Sequence, residues 1–183
     1  MRSIVEPIDL PPTIIDLAEK PLPFETIEEL PGQPAIAKRL QLSSHPTRHP
    51  LHDEGAFYSL DYSSVFAASV ILATPKNPDV ILDVCAAPGG KSVFAWKALR
   101  PQVLLSNEIV QGRAKALISN LKRCHVTPVR VFSAGPDQLA LRLPQACDLV
   151  LLDVPCSGQS LMVKGQTVTG SFMPHAVSGN VKR

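Results

Sequence analysis

Residues Leu82–Ser92, LDVCAAPGGKS, give the first hold on the architecture. An apolar run ends at Asp83, breaks into small residues, a proline and two glycines, and leads into a Lys-Ser pair. The Gly-Lys-Ser ending matches the tail of a phosphate-binding P-loop, G-x-x-x-x-G-K-[ST], whose backbone N–H groups wrap phosphates. Counting back from Gly90, the opening glycine of that motif falls on Cys85. Pro88 stands in the middle of the loop and has no N–H to donate. The G-x-G-x-x-G of dinucleotide binders is missing too. What remains is a strand, a tight turn of small residues, and a helix starting near Gly90. That arrangement sets a ligand at the carboxyl end of a strand and over a helix N-terminus, where N–H groups suit a carboxylate as well as a phosphate.

Outward from this loop, apolar strands alternate with amphipathic helices. A helix is expected over 63–73 (SSVFAASVILA), with Ser63 or Ser64 as its N-cap. Strands follow at 79–85, 102–109, 128–133 and 147–154. Helices lie at about 90–99 and from Gly112 on, the latter placing Ala114, Leu117, Ile118 and Leu121 on one face. This is the texture of βαβ units: an α/β fold with a doubly wound, mostly parallel sheet. In such sheets ligands sit beyond the carboxyl ends of the strands, at the switch point. Asp83 to Lys91, Glu108, and Asp153 to Gly158 all fall there.

Residues 1–54 read differently. Nine of the eighteen prolines fall in residues 1–50 and break up regular structure. A Pro-rich N-terminal arm over 1–54 is expected, with short helices near 13–19 and 34–41, ahead of a domain over 55–183. Residues 1–30 carry seven acids and two bases, so with a total of +2 the remainder carries +7. A mildly basic body suits a polyanion partner. No apolar run approaches the roughly 20 residues of a membrane span, and the first residues lack a signal-peptide core. The four cysteines show no CxxC spacing, which fits thiols in a reducing cytoplasm. Cys124-His125 has no second half to make a metal site, so no metal is expected.

Two strand ends carry chemistry. Glu108 closes the second strand, where an acid accepts hydrogen bonds from both hydroxyls of a ribose; the plainer role is to cap the helix that follows. The stretch DLVLLDVPCSG (148–158) ends a strand in Asp153 and then presents Pro155-Cys156. The strand alone suits the metal-holding strand of an NTPase, but the Pro-Cys has no task there. It has one in pyrimidine methylation. A thiolate added to carbon 6 of cytosine makes carbon 5 nucleophilic enough to attack an activated methyl group. The base must be single-stranded or swung out to be reached.

DVCAAPGGKS, NEIVQGR and DLVLLDVPCSG resemble three motifs of the RsmB/NOP-type (Sun family) RNA cytosine-5 methyltransferases, and FYSLDYSS (57–64) resembles the short motif preceding their cofactor loop. The resemblance covers about residues 55–183. It implies a Rossmann-like methyltransferase fold using S-adenosylmethionine, acting on rRNA or tRNA. Cys85, Ala86, Ala87, Pro88, Gly89, Gly90 and Lys91 would wrap the methionine part of the cofactor, and Glu108 would hold its ribose. Asp153 would lie where cofactor and cytosine meet. Cys156 would match the Pro-Cys cysteine that helps release product in that family. Where the family has an adenine-contacting aspartate after the third strand, this chain has Gly135, with Asp137 displaced. The Thr-Cys motif bearing the family's nucleophile does not occur in the chain. The resemblance therefore implies a sheet lacking its C-terminal strands. A catalytically dead RNA- or cofactor-binding fragment and a P-loop-like NTP-binding protein stand as the alternatives.

Overall fold

The structure is a computed structural model that describes residues 10–18, 20–74 and 77–154. Pro11–Leu152 form one compact unit. A second unit combines Met1–Leu10 with Asp153–Arg183, and of it only residues 10, 153 and 154 are described. Cys156 and its neighbours thus lie outside the described residues.

The larger unit holds two sheets. In the first, β1 (Thr13–Asp16) pairs antiparallel with both β2 (Ala37–Arg39) and β3 (Phe57–Ser59). Between β2 and β3 runs a short helix, α1 (Pro50–Asp53). The segments near 13–19 and 34–41, expected as short helices, therefore supply strands instead. Thr13, Ile14 and Ile15 are buried in succession, as a central strand demands and an exposed helical turn does not. β-Branched side chains favour that choice, and a helix of under ten residues is marginal even when its propensities are good. Ala37 and Leu40 have helical propensity but bury their side chains against this sheet.

The second sheet is parallel and is ordered β6-β5-β4-β7. Its strands are β4 (Val80–Asp83), β5 (Val103–Asn107), β6 (Val129–Phe132) and β7 (Leu149–Leu151). Sequence order runs outward from β4 through β5 to β6, then returns to the other side of β4 with β7. The switch point thus lies between β4 and β7, and β4 carries the LDVCAAPGGKS loop.

Helices cover both faces. α2 (Tyr62–Ser69) begins one residue before the expected start, with Asp61 rather than Ser63 or Ser64 in the capping position, and tightens into a 3-10 turn at Val70–Ala73. α3 (Gly90–Leu99) buries Ser92, Val93, Phe94 and Ala95 in one unbroken run, because it is wedged between the sheet on one side and α2 and β3 on the other. α4 (Gln111–Arg123) joins β5 to β6. Leu117 and Leu121 are buried on it, but Ile118, placed on the same face by periodicity, is half exposed. The apolar stripe is narrower than the sequence pattern. α5 (Pro136–Arg142), unforeseen in the sequence, starts on a proline at its first position with Gly135 as N-cap. Along β4, Asp83 faces α3, since Ser92 bonds it. Leu82, one residue away, faces a cavity of about 310 Å³ beneath α5.

Candidate functional site

The carboxyl ends of β4, β5 and β6 are laced together by one buried side chain. Asn107, at the end of β5, donates to the carbonyls of Val84 and Ala134, each at 3.0 Å, and accepts from the N–H of Ala134 at 2.9 Å. Its own carbonyl accepts from the N–H of Ala86 at 2.8 Å. The loop after β4 and the loop after β6 are thus both pinned to this asparagine. The sequence draws attention to its neighbour Glu108 instead, although a polar residue closing an apolar strand is itself a signal.

The loop itself is shaped by its two glycines, for different reasons. Gly89 caps α3 with φ +118°, a conformation open to glycine and strained for other residues. Gly90 has ordinary geometry, but a Cβ there would come within 2.6 Å of Leu60 Cδ1 and 3.2 Å of Tyr58 Cε1. One glycine makes the turn and the other lets β3 and the segment after it approach the start of α3. Ala86 and Ala87 are buried, Cys85 and Lys91 are half-buried, and Pro88 is exposed.

Ser92 settles the P-loop question. In a P-loop this hydroxyl would face a metal-bound nucleotide. Here it is fully buried, donates to Asp83 Oδ2 at 2.7 Å and lies 3.0 Å from Ser106 Oγ. The hydroxyl ties α3 to the sheet interior, which leaves it turned away from any ligand over the loop. Among the described residues no group of three or more metal-ligating side chains gathers.

Glu108 follows β5 directly and is 2 % exposed. Its Oε1 accepts from the N–H of Val110, the residue preceding α4, at 2.9 Å. Its Oε2 lies 3.0 Å from Arg113 Nη1, an ion pair without a well-aligned hydrogen bond. The carboxylate therefore braces the residue that precedes α4 without capping the helix itself, and still keeps acceptor capacity on Oε2. The backbone N–H of Glu108 donates to Phe132 O at 3.1 Å, which fixes it against β6. Arg113 also reaches the loop, donating from Nη2 to Ala87 O at 2.7 Å. Asn120 donates to Pro88 O at 2.9 Å. Arg113 closes the NEIVQGR motif without a role being assigned to it, and Asn120 reads as an ordinary polar position of an amphipathic helix. Asp153 follows β7 by two residues and belongs to the smaller unit. Gly135 and Asp137, at the place of the adenine-contacting acid, form the cap and first turn of α5.

Residues 70–180 match the family described as 16S rRNA methyltransferase RsmB/F. The chain belongs to this family. Ribosomal RNA small subunit methyltransferase F of Serratia proteamaculans is 32% identical over 128 residues, which are 69% of this chain and 27% of that protein. A methyltransferase homologue from Pyrococcus horikoshii shares the fold with a TM-score of 0.65 at 22% identity, over 86% of this chain and 54% of that one. The structure of NSun6 from Pyrococcus horikoshii with SFG aligns with a TM-score of 0.50 at 25% identity, over 67% of this chain and 33% of that one. The chain spans about a quarter of the length of the curated relatives it matches. As an RsmB/F-family chain it carries the Rossmann-like α/β core expected from its motifs, with the match covering every strand of the parallel sheet.

Proposed function

We propose that the chain is the cofactor-binding part of an S-adenosylmethionine-dependent methyltransferase acting on carbon 5 of a cytosine in ribosomal RNA. The observation that carries this reading is the laced end of the parallel sheet. The Cys85–Lys91 loop at the switch point and the Glu108 carboxylate one strand over are fixed to each other by Asn107 and Arg113. The residues fit the group. The start of α3 offers backbone N–H groups to the methionine carboxylate, and the small residues Ala86, Ala87, Gly89 and Gly90 let the loop turn tightly, with Gly89 and Gly90 packed against Leu117 and Leu60. Glu108 Oε2 keeps a lone pair for a ribose hydroxyl. S-adenosylmethionine supplies an activated methyl group; the chain's part is to hold and orient it. Asp153 is proposed to lie where cofactor and base meet. Cys156 is proposed as the thiol that assists product release. The partner is a polyanionic RNA, rRNA in preference to tRNA given the family, with no metal and a cytoplasmic place of work.

A second reading is favoured by one feature. The sequence contains no Thr-Cys pair, so this stretch of chain by itself would bind cofactor or RNA without turning over. Titration calorimetry with S-adenosylmethionine, S-adenosylhomocysteine and ATP tests the binding claim. Binding of the first two and not the third is expected, and the reverse would overturn it. Incubation with labelled S-adenosylmethionine and unmodified rRNA, followed by nucleoside mass spectrometry, tests the rest. 5-Methylcytidine supports the enzyme reading, and bound cofactor without product supports the binding fragment.

A further inference from the structure

The cofactor loop is held from outside by two side chains of a single helix. Arg113 and Asn120 lie roughly two turns apart on α4 and donate to consecutive carbonyls, Ala87 O and Pro88 O. Between them Leu117 presents Cδ1 to Gly89, 3.4 Å from where a Cβ would stand. The Arg113 guanidinium sends its other nitrogen to Glu108 Oε2. Because a trans peptide is planar, its C=O and N–H point in opposite directions. Holding Pro88 O toward α4 therefore turns the N–H of Gly89 away from that helix.

We propose that Arg113 is a positioning residue for the cofactor, with Asn120 as its companion. One guanidinium couples the loop that would take the methionine end to the acid that would take the ribose, so the two parts of the site hold a fixed spacing. This rests on the reading given under Proposed function. The side chain of Arg113 is 42 % exposed but that of Glu108 only 3 %, so removing the guanidinium leaves a buried carboxylate without its cation and costs stability, whereas lysine keeps a cation there. The positioning role is therefore read most directly from Arg113→Lys, which keeps the charge and loses the planar fork.

The test uses the full chain, thermal melting, and calorimetry with S-adenosylmethionine on wild type, Arg113→Gln, Arg113→Lys and Asn120→Ala. Arg113→Gln is expected to melt below wild type, because Glu108 loses its cation, and to bind about tenfold more weakly, the size of one charge-assisted hydrogen bond. Arg113→Lys keeps the charge but loses the planar fork, so its affinity is expected to fall between the two. Asn120→Ala is expected to weaken binding about threefold to tenfold through the Pro88 carbonyl. Wild-type affinity in Arg113→Gln, with wild type binding normally, overturns the Arg113 role and leaves the cofactor reading standing. Weakening that comes with a matching loss of melting temperature, and is not eased by lysine, overturns it as well. A wild type that does not bind S-adenosylmethionine overturns the cofactor reading, and this inference with it. Should Arg113→Gln fail to fold, Arg113→Lys decides. Wild-type affinity there overturns the role, and weaker affinity at unchanged melting temperature supports it.

Discussion

Gly55 and Gly112 show how differently two glycines are constrained. Gly55, in the turn between α1 and β3, has φ +75°, and a Cβ on it would stand 1.7 Å from the carbonyl oxygen of Arg123. That oxygen belongs to the backbone at the end of α4 and cannot step aside. Gly55→Ala should destabilise by about 3 kcal/mol, from left-handed strain and overpacking together. Gly112, in the first turn of α4, has nothing within 4 Å of the place a methyl group would take. Gly112→Ala should stabilise by roughly 0.5 kcal/mol through helix propensity. Urea denaturation of both variants checks the pair. Glu108→Ala removes the acceptor proposed for the ribose, so cofactor affinity should fall about tenfold to a hundredfold, the range of a charge-assisted hydrogen bond; unchanged affinity by calorimetry would remove Glu108 from the site. Tyr58, on β3, is buried against the start of α3 and the end of α4, and burial first, then the neighbouring Cys124 thiol, push its phenol up to about 12 against a smaller opposing pull from Arg123. A raised acid pKa means the folded state favours the protonated form. Stability from this group is full below about pH 10 and is lost as pH rises from there through about 12. Tyr58→Phe should remove that alkaline loss, as read from melting temperature against pH.

Among the elements, α4 is where periodicity misleads. Leu117 and Ile118 share the apolar stripe on a helical wheel, yet Leu117 is fully buried and Ile118 half exposed. Leu117→Ala should destabilise by about 2–4 kcal/mol and Ile118→Ala by less than about 0.5 kcal/mol; denaturation midpoints distinguish them. The reason is that α4 meets the rest of the fold along a narrow line, where its Arg113–Leu117–Asn120–Leu121 side closes on the Ala87–Gly89 loop. A pattern of apolar residues marks which side of a helix is greasy, but the shape of the opposing surface decides how much is covered. The N-terminal strands teach the same lesson. TIID and AKR are too short, and set too close among prolines, to announce a sheet, and they form one because β1 pairs with both β2 and β3. The four parallel strands and α3 are legible, since each strand is rich in apolar residues between turn residues and α3 opens directly on the Gly-Gly turn. α5 is not, because its seven residues hold too few apolar positions to show a period.

Across the whole molecule, the parallel sheet has β7 as its outer strand among the described residues. Val150 and Leu152 are more than half exposed there, beside the apolar cavity under α5. Among the described residues no strand pairs with the outer side of β7, and an unpaired strand flanked by exposed apolar side chains recruits other chains. The 183-residue chain is therefore expected to associate increasingly with concentration in sedimentation velocity, and a Val150→Lys, Leu152→Lys double variant to sediment closer to a monomer. The alternation of strands and helices, the β4–α3 loop and the acid at the end of β5 could all be read from the order of residues. These are local features: apolar runs, turn residues and spacing along the chain carry them. The inward turn of Ser92 to Asp83, the binding of the strand-end loops by Asn107 and the joining of loop to acid by Arg113 emerge once the chain is folded. Apart from the Arg113–Glu108 pair, which is local, those contacts span nine to twenty-seven residues of chain. A hydrogen bond between residues so far apart leaves no periodic trace until the sheet brings its partners together.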